Sequence, residues 1–135
     1  AVGADVPVLT RISSTDWVAG GWTVDDSVAL AAELAGVGVD LIDTSSGGIS
    51  TAQQIPLAPG YQVPAAARIR REAGVPTGAV GLIVEPEHAE QIVADGEADL
   101  VLLGRELLRD PYWPLHAAAK LNTTPTWPAQ YLRAA

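Results

Sequence analysis

The chain has 135 residues and 48% apolar content, which suits one domain with a real core and excludes wholesale disorder. It contains no cysteine, so a disulfide scaffold, a zinc–thiolate site and a cysteine nucleophile are excluded within it. Sixteen acidic against eight basic residues give a net charge of -8, which argues against nucleic-acid binding. With no membrane-length apolar run and no signal peptide, a cytoplasmic location is expected. Methionine is absent even at position 1, so we expect a processed product or a fragment.

The first half of the chain alternates short apolar runs with amphipathic segments. Residues 6–13 are β-branched and short, which predicts a strand. Thr23 is a predicted helix cap, and Gly36 ends that helix. Residues 39–44 predict the second strand, and the long loop 49–62 that follows it is typical of a functional segment.

The second half continues the same alternation. We predict a helix over 63–73, a third strand within 75–83, and a helix from Pro86 to Gly96. Residues 98–103 predict the fourth strand. The later elements are a short helical piece to residue 108, a helix over about 111–121 and an irregular tail, 122–135.

The order β-α-β-α-β-α-β-α makes neighbouring strands parallel, because each crossover is helical. Two architectures satisfy it: an open doubly wound sheet, or four units of a (β/α)8 barrel. The strands are apolar along nearly their whole length, as expected of strands that are buried on both faces. Four units alone would leave two sheet edges and an inner face uncovered.

Glycines and one arginine follow the last two strands, at the end where both architectures bind ligands. Gly81 and Gly104 would let backbone N–H groups approach an anion, and Arg105 would add a bidentate cation beside a helical turn. These residues predict a phosphate site. The alternative is that the glycines only end the strands and Arg105 pairs with Glu106 or Asp110.

Other polar and aromatic positions leave two interpretations open. Arg11 lies inside the first strand and needs a partner, either an anionic ligand or Asp43 on the next strand. The run 45–48, Ser-Ser-Gly-Gly, binds a ligand or forms a turn. Trp17 and Trp22 wall a pocket or are ordinary half-buried loop aromatics. Neither histidine nor any acidic cluster has metal-ligand spacing, so no metal site is predicted.

Six segments occur in an order that resembles one known family. They are Arg11–Trp17, Asp40–Gly48, Pro59–Val63, Thr77–Gly81, Leu103–Trp113 and Gln130–Arg133. Together they resemble the C-terminal half of old yellow enzymes of the thermophilic-like NADPH dehydrogenase or xenobiotic reductase class. The resemblance implies strands five to eight of a (β/α)8 TIM barrel, with 1–135 forming that half and 122–135 its tail. It also implies an ene-reductase that passes hydride from NAD(P)H through FMN to an activated alkene.

The resemblance also implies roles for individual residues. Arg11 matches an arginine at the flavin pyrimidine edge, and Ser45 lies near the ribityl side. Gly81, Gly104 and Arg105 match the phosphate-binding positions.

The resemblance also implies a role for the C-terminal tail and the absence of an N-terminal half-barrel. Arg133 matches an arginine that reaches the neighbouring subunit's substrate pocket, so a homodimer or homotetramer is expected. The family's substrate-anchoring residues belong to the N-terminal half-barrel, which has no counterpart here, so this chain alone should be inactive. The alternatives are another phosphate- or flavin-binding barrel, such as a dihydrouridine synthase or a half-barrel isomerase, and a non-catalytic half-barrel that binds a phosphorylated ligand. The acidic charge counts against a tRNA-docking synthase.

Overall fold

The computed structural model describes residues 3 and 5–134, so residues 1, 2, 4 and 135 of the predicted domain lie outside the described residues. Helices and strands alternate as predicted, which confirms the α/β class. The strands are β1 (Leu9–Ser13), β2 (Leu41–Ser45), β3 (Thr77–Ala79) and β4 (Leu100–Val101). The helices are α1 (Val24–Gly36), α2 (Val63–Ala73), α3 (Pro86–Ala94), α4 (Arg105–Arg109) and α5 (Trp113–Lys120).

The four strands form one parallel sheet in the order β1-β2-β3-β4. In the register, Arg11 lies beside Asp43, which lies beside Gly78. Because all four strands run the same way, their carboxyl ends meet at one edge of the sheet.

The helix ends follow from local chemistry. Thr23 caps α1 as predicted: its hydroxyl accepts the Asp26 N–H, and the Asp26 carboxylate accepts the Thr23 N–H in return. Gly74 ends α2 with φ of 68°, a left-handed conformation in which glycine is not strained. Pro86 is the first residue of α3, where its missing N–H removes no hydrogen bond.

The helices cover only one face of the sheet. Ile12, Ile42 and Ala79 point to that face and are buried against α1, α2 and α3. On the opposite face Leu9 and Leu100 are 53% and 47% exposed. The expectation of strands buried on both faces therefore holds for β2 and β3 and is wrong for the edge strands β1 and β4. The face without helices, called the bare face below, is the one that a closed barrel would turn inward.

Several elements differ from the sequence-based bounds; strand β1, for example, begins at Leu9 and not at residue 6. Strands β3 and β4 are shorter than predicted, because only three and two residues make ladder pairs. The tail, predicted to be irregular, contains a 3-10 helix over Ala129–Ala134. No helix among the described residues is long and apolar enough to cross a membrane.

Candidate functional site

A pocket of about 260 Å³ lies at the carboxyl ends of β2, β3 and β4. Four of the five residues predicted to bind a cofactor line it: Ser45, Gly81, Gly104 and Arg105. The rest of the lining comes from the loops after these strands, from the start of α2 and from α4. It comprises Leu57, Tyr61, Gln62, Val80, Leu82, Ile83, Val84, Leu102, Leu103, Glu106 and Arg109.

Arg105 lies exposed at this pocket and forms no ion pair within residues 3 and 5–134. Both acidic residues considered as its partners are engaged elsewhere. Glu106 pairs with Arg109, and Asp110 contacts His116 Nδ1 at 2.6 Å. The ion-pair alternative for Arg105 is therefore wrong, and its guanidinium fork is available to an anion.

Unpaired backbone N–H groups face the same region. In the described part of the chain, the N–H groups of Gly81, Leu82, Gly104 and Arg105 make no hydrogen bond. Gly81 and Leu82 have φ of 129° and 54° in the turn after β3, which carries two of these N–H groups. Helix α4 has only five residues, so an anion here would be attracted by these N–H groups and the Arg105 side chain rather than by a long helix dipole.

Arg11 lies on the bare face of the sheet, outside the pocket lining. Its Nε donates to Asp43 Oδ2 at 2.5 Å, so the predicted structural pair is present. The Arg11 side chain is nevertheless 59% exposed, and the buried Asp43 Oδ1 has no partner among the described residues. The pair uses only Nε of Arg11, so its terminal guanidinium nitrogens remain accessible on the bare face. Ser45 lies on the same face, because it follows Asp43 by two residues in the strand.

The serines and loop tryptophans make internal hydrogen bonds. Trp17 Nε1 donates to Ser46 Oγ at 2.9 Å, and Trp22 Nε1 donates to Ser27 Oγ at 2.6 Å. The Trp17 ring lies 6.3 Å from that of Tyr61, which lines the pocket. Trp17 thus supports a pocket wall from behind, whereas Trp22 secures the start of α1.

The other predicted or considered residues lie outside the pocket. Arg133 is exposed on the 3-10 helix of the tail and does not line the pocket of its own chain. His88 packs beside Gly60, and His116 is exposed in its contact with Asp110. Within the described residues, no cluster of three or more acidic or histidine side chains could hold a metal ion.

Gln62 and Arg109 also line the pocket, although neither was predicted as a site residue from the sequence. Arg109 could have been found, because it follows Arg105 by four residues on one helical turn. Gln62 carries no comparable sequence feature, since its burial depends on the loop fold.

A second charged cluster lies at the opposite, amino end of the sheet. Arg70 donates to both carboxylate oxygens of Asp99, at 2.9 and 3.1 Å, and the Thr77 N–H donates to Asp99 Oδ2 at 2.9 Å. The Arg70 hydrogen bond lowers the pKa of Asp99 below its usual value, and the Thr77 hydrogen bond acts in the same direction. A cluster at this end of a parallel sheet serves stability rather than ligand binding.

The family model described as NADH:flavin oxidoreductase / NADH oxidase matches residues 1–124. An NADPH dehydrogenase of Geobacillus thermodenitrificans is 52% identical over 129 residues, and one of Halalkalibacterium halodurans is 49% identical over 130. Each alignment covers 96% of this chain but only 38% of the relative, so the chain spans well under half the length of these relatives.

Solved structures show the same fold at lower identity. A histamine dehydrogenase from Rhizobium sp. 4-9 superposes with a TM-score of 0.67 and 21% identity, over 87% of this chain and 17% of its own. A mandelate racemase/muconate lactonizing family protein from Azoarcus sp. EbN1 gives 0.54 and 21%, over 90% and 28%. These likenesses to barrel enzymes confirm the half-barrel architecture and exclude the open doubly wound sheet.

Proposed function

The chain belongs to the NADH:flavin oxidoreductase / NADH oxidase family, and from this premise we propose that it is the C-terminal, phosphate-binding half of an FMN-dependent oxidoreductase barrel that uses NADPH. The proposed reaction is reduction of the activated C=C bond of an α,β-unsaturated carbonyl compound. The observation that carries the proposal is Arg105, which has no acidic partner among the described residues and lies in one pocket with four N–H groups that are unpaired there.

The donor set of this pocket fits the phosphate of FMN. A phosphate offers only acceptor oxygens at neutral pH, and the pocket offers N–H donors from two loops together with a guanidinium fork. Gly104 has open space where a Cβ would lie, so the ligand can approach its backbone closely. Bound there, FMN would supply the hydride transfer between NADPH and the alkene.

The chain's own residues would then bind and orient the flavin. Gly81, Gly104 and Arg105 would hold the phosphate, and Ser45 would lie on the ribityl side. Arg11 would place a fixed positive charge at the pyrimidine edge, where it favours negative charge on the ring. Asp43 holds the Arg11 side chain by its Nε and thus orients the guanidinium that remains exposed.

The bare face of the sheet supports the proposal of a missing N-terminal half-barrel. Leu9 and Leu100 would be covered when the barrel closes, and the orphaned Asp43 Oδ1 would gain a donor or a water there. In this proposal the absent half provides the groups that anchor and protonate the substrate, so this chain alone is inactive. The full protein would be a homodimer or homotetramer in which Arg133 closes the neighbouring subunit's pocket.

Flavin titration of the full-length protein tests this proposal. Wild-type protein should bind FMN and show flavin absorption, and Arg105→Ala should weaken FMN binding by about tenfold, because a charge-assisted bidentate contact is lost. Arg71→Ala is the matched control, since Arg71 is an exposed arginine on α2 that pairs with Glu72. Unchanged FMN affinity in Arg105→Ala would contradict the phosphate assignment. Binding of phosphorylated ligands without flavin would favour the non-catalytic half-barrel.

A further inference from the structure

We propose that Gln62 is a positioning residue of the phosphate pocket: its side-chain amide holds the peptide group that presents the Gly81 N–H to the ligand. The inference rests on the proposed function, because it concerns the phosphate of the proposed FMN. It is carried by the hydrogen bonds of a buried amide that bridges two ligand loops.

Two neighbouring carbonyl groups in the turn after β3 accept hydrogen bonds from the segment that precedes α2. Gln62, which is 3% exposed, donates from Nε2 to the Val80 carbonyl at 2.8 Å. The Gly60 N–H donates to the Gly81 carbonyl, also at 2.8 Å. In a trans peptide the N–H points opposite to the C=O. The N–H groups of Gly81 and Leu82 therefore point away from Gln62 and Gly60, and neither is bonded to any residue that the structure describes.

The Gln62 amide is itself held in one orientation. Trp17 Nε1 donates to Ser46 Oγ at 2.9 Å, and Ser46 donates to Gln62 Oε1 at 2.5 Å. An indole nitrogen can only donate and a backbone carbonyl can only accept. Each hydrogen bond in the series from Trp17 through Ser46 and Gln62 to Val80 therefore has one possible direction. A flipped Gln62 amide would place its oxygen against the Val80 carbonyl and leave both groups without a donor.

This chain of hydrogen bonds joins the loops that follow β1, β2 and β3. Trp17 belongs to the first loop, Ser46 to the second, and Val80 to the third. The N–H donors of the third loop are thereby oriented before a ligand arrives, and such preorganisation lowers the cost of ordering on binding. Gln62 does not need to touch the phosphate to affect its affinity.

The test compares FMN with riboflavin, which lacks the phosphate, in calorimetric titrations of the full-length protein. Gln62→Met keeps the side-chain length but cannot donate to Val80. It should weaken FMN binding about tenfold and change riboflavin binding less than twofold. Ser46→Ala leaves Gln62 packed but frees its amide to rotate, and it should weaken FMN binding about threefold, again without a riboflavin effect.

Gln91→Glu is the control, because Gln91 is an exposed glutamine on α3 that donates to Asp95 away from the pocket. Equal losses of affinity for FMN and riboflavin in Gln62→Met would mean that Gln62 only packs the fold. Unchanged FMN affinity would mean that Gln62 has no role in the pocket. Either result overturns the inference. Should Gln62→Met fail to fold, Ser46→Ala decides by the same two criteria. A wild-type protein that binds neither flavin refutes the proposed function itself, and the role of Gln62 falls with it.

Discussion

Gly81→Ala probes the phosphate pocket through the backbone alone. Gly81 is buried and has φ of 129°. An added Cβ would lie 2.9 Å from Gln62 Nε2 and 3.1 Å from Tyr61 Cε1. The substitution therefore combines a backbone conformation that only glycine adopts readily with a close contact against a buried amide.

The expected cost is about 2–4 kcal/mol of unfolding free energy. The backbone conformation accounts for about 1–3 kcal/mol. The contact adds roughly 1 kcal/mol or more, because Gln62 is buried, is hydrogen-bonded at both ends of its amide and cannot swing away. If the turn relaxes instead, the Gly81 N–H moves out of the pocket, so FMN affinity should fall about tenfold in the part of the population that stays folded.

Urea unfolding followed by circular dichroism, together with calorimetric titration of FMN, checks both numbers in the full-length protein. Gly36→Ala is the control, because Gly36 lies in α1 with open space at its Cβ position, and alanine there should be neutral or stabilising by up to about 1 kcal/mol. A Gly81→Ala protein with wild-type stability and wild-type FMN affinity would refute this account of the turn.

Three further predictions concern charged side chains. Arg11→Met should lower the reduction potential of bound flavin and slow its reduction by NADPH, because a fixed positive charge is removed; an unaltered potential in a redox titration would leave Arg11 only its pairing with Asp43. Asp99→Asn removes the carboxylate that pairs with Arg70 and should lower the free energy of unfolding at neutral pH. The loss should be only about 1 kcal/mol, because the pair is partly exposed and solvent screens it. Because folding lowers the pKa of Asp99, its contribution to stability is complete above the unfolded-state pKa of about 4 and is lost as pH falls through the folded-state value. The unfolding midpoints of wild type and Asp99→Asn should therefore converge in acid. A difference between them that persists at low pH would contradict this. Arg133→Ala should change the Michaelis constant for the alkene more than flavin content, and deleting 124–135 should also weaken the oligomer; a deleted protein with unchanged sedimentation and kinetics would show that the tail is a solvated end.

Local chemistry made several elements predictable. Thr23 with Asp26 marks the start of α1, Gly74 marks the end of α2, and Pro86 marks the start of α3; each depends on residues within one turn. Arg105 could be placed at the ligand edge from its position after the fourth strand, because parallel strands end together.

Features that depend on distant partners could not be predicted. Strand β4 was expected over 98–103 but pairs through only two residues, since its ladder requires register with β3. Trp17 and Leu82 adopt positive φ although nothing in their residue type favours it. Gln62 reads as an ordinary polar residue before a helix, and only the packed loops show that it is buried between Ser46 and Val80.

The hydrogen-bonded Trp17 gives the molecule an internal optical probe for its pocket. Its ring lies 6.3 Å from that of Tyr61, at the back of the pocket wall, and tryptophan emission overlaps the near-ultraviolet absorption of flavins. Trp113, on α5, donates from Nε1 to the carbonyl of Val84, which also lines the pocket, at 2.9 Å. Variants that keep only Trp17 or only Trp113 would therefore report the arrival of a flavin from the loop after β1 and from helix α5, with no external label.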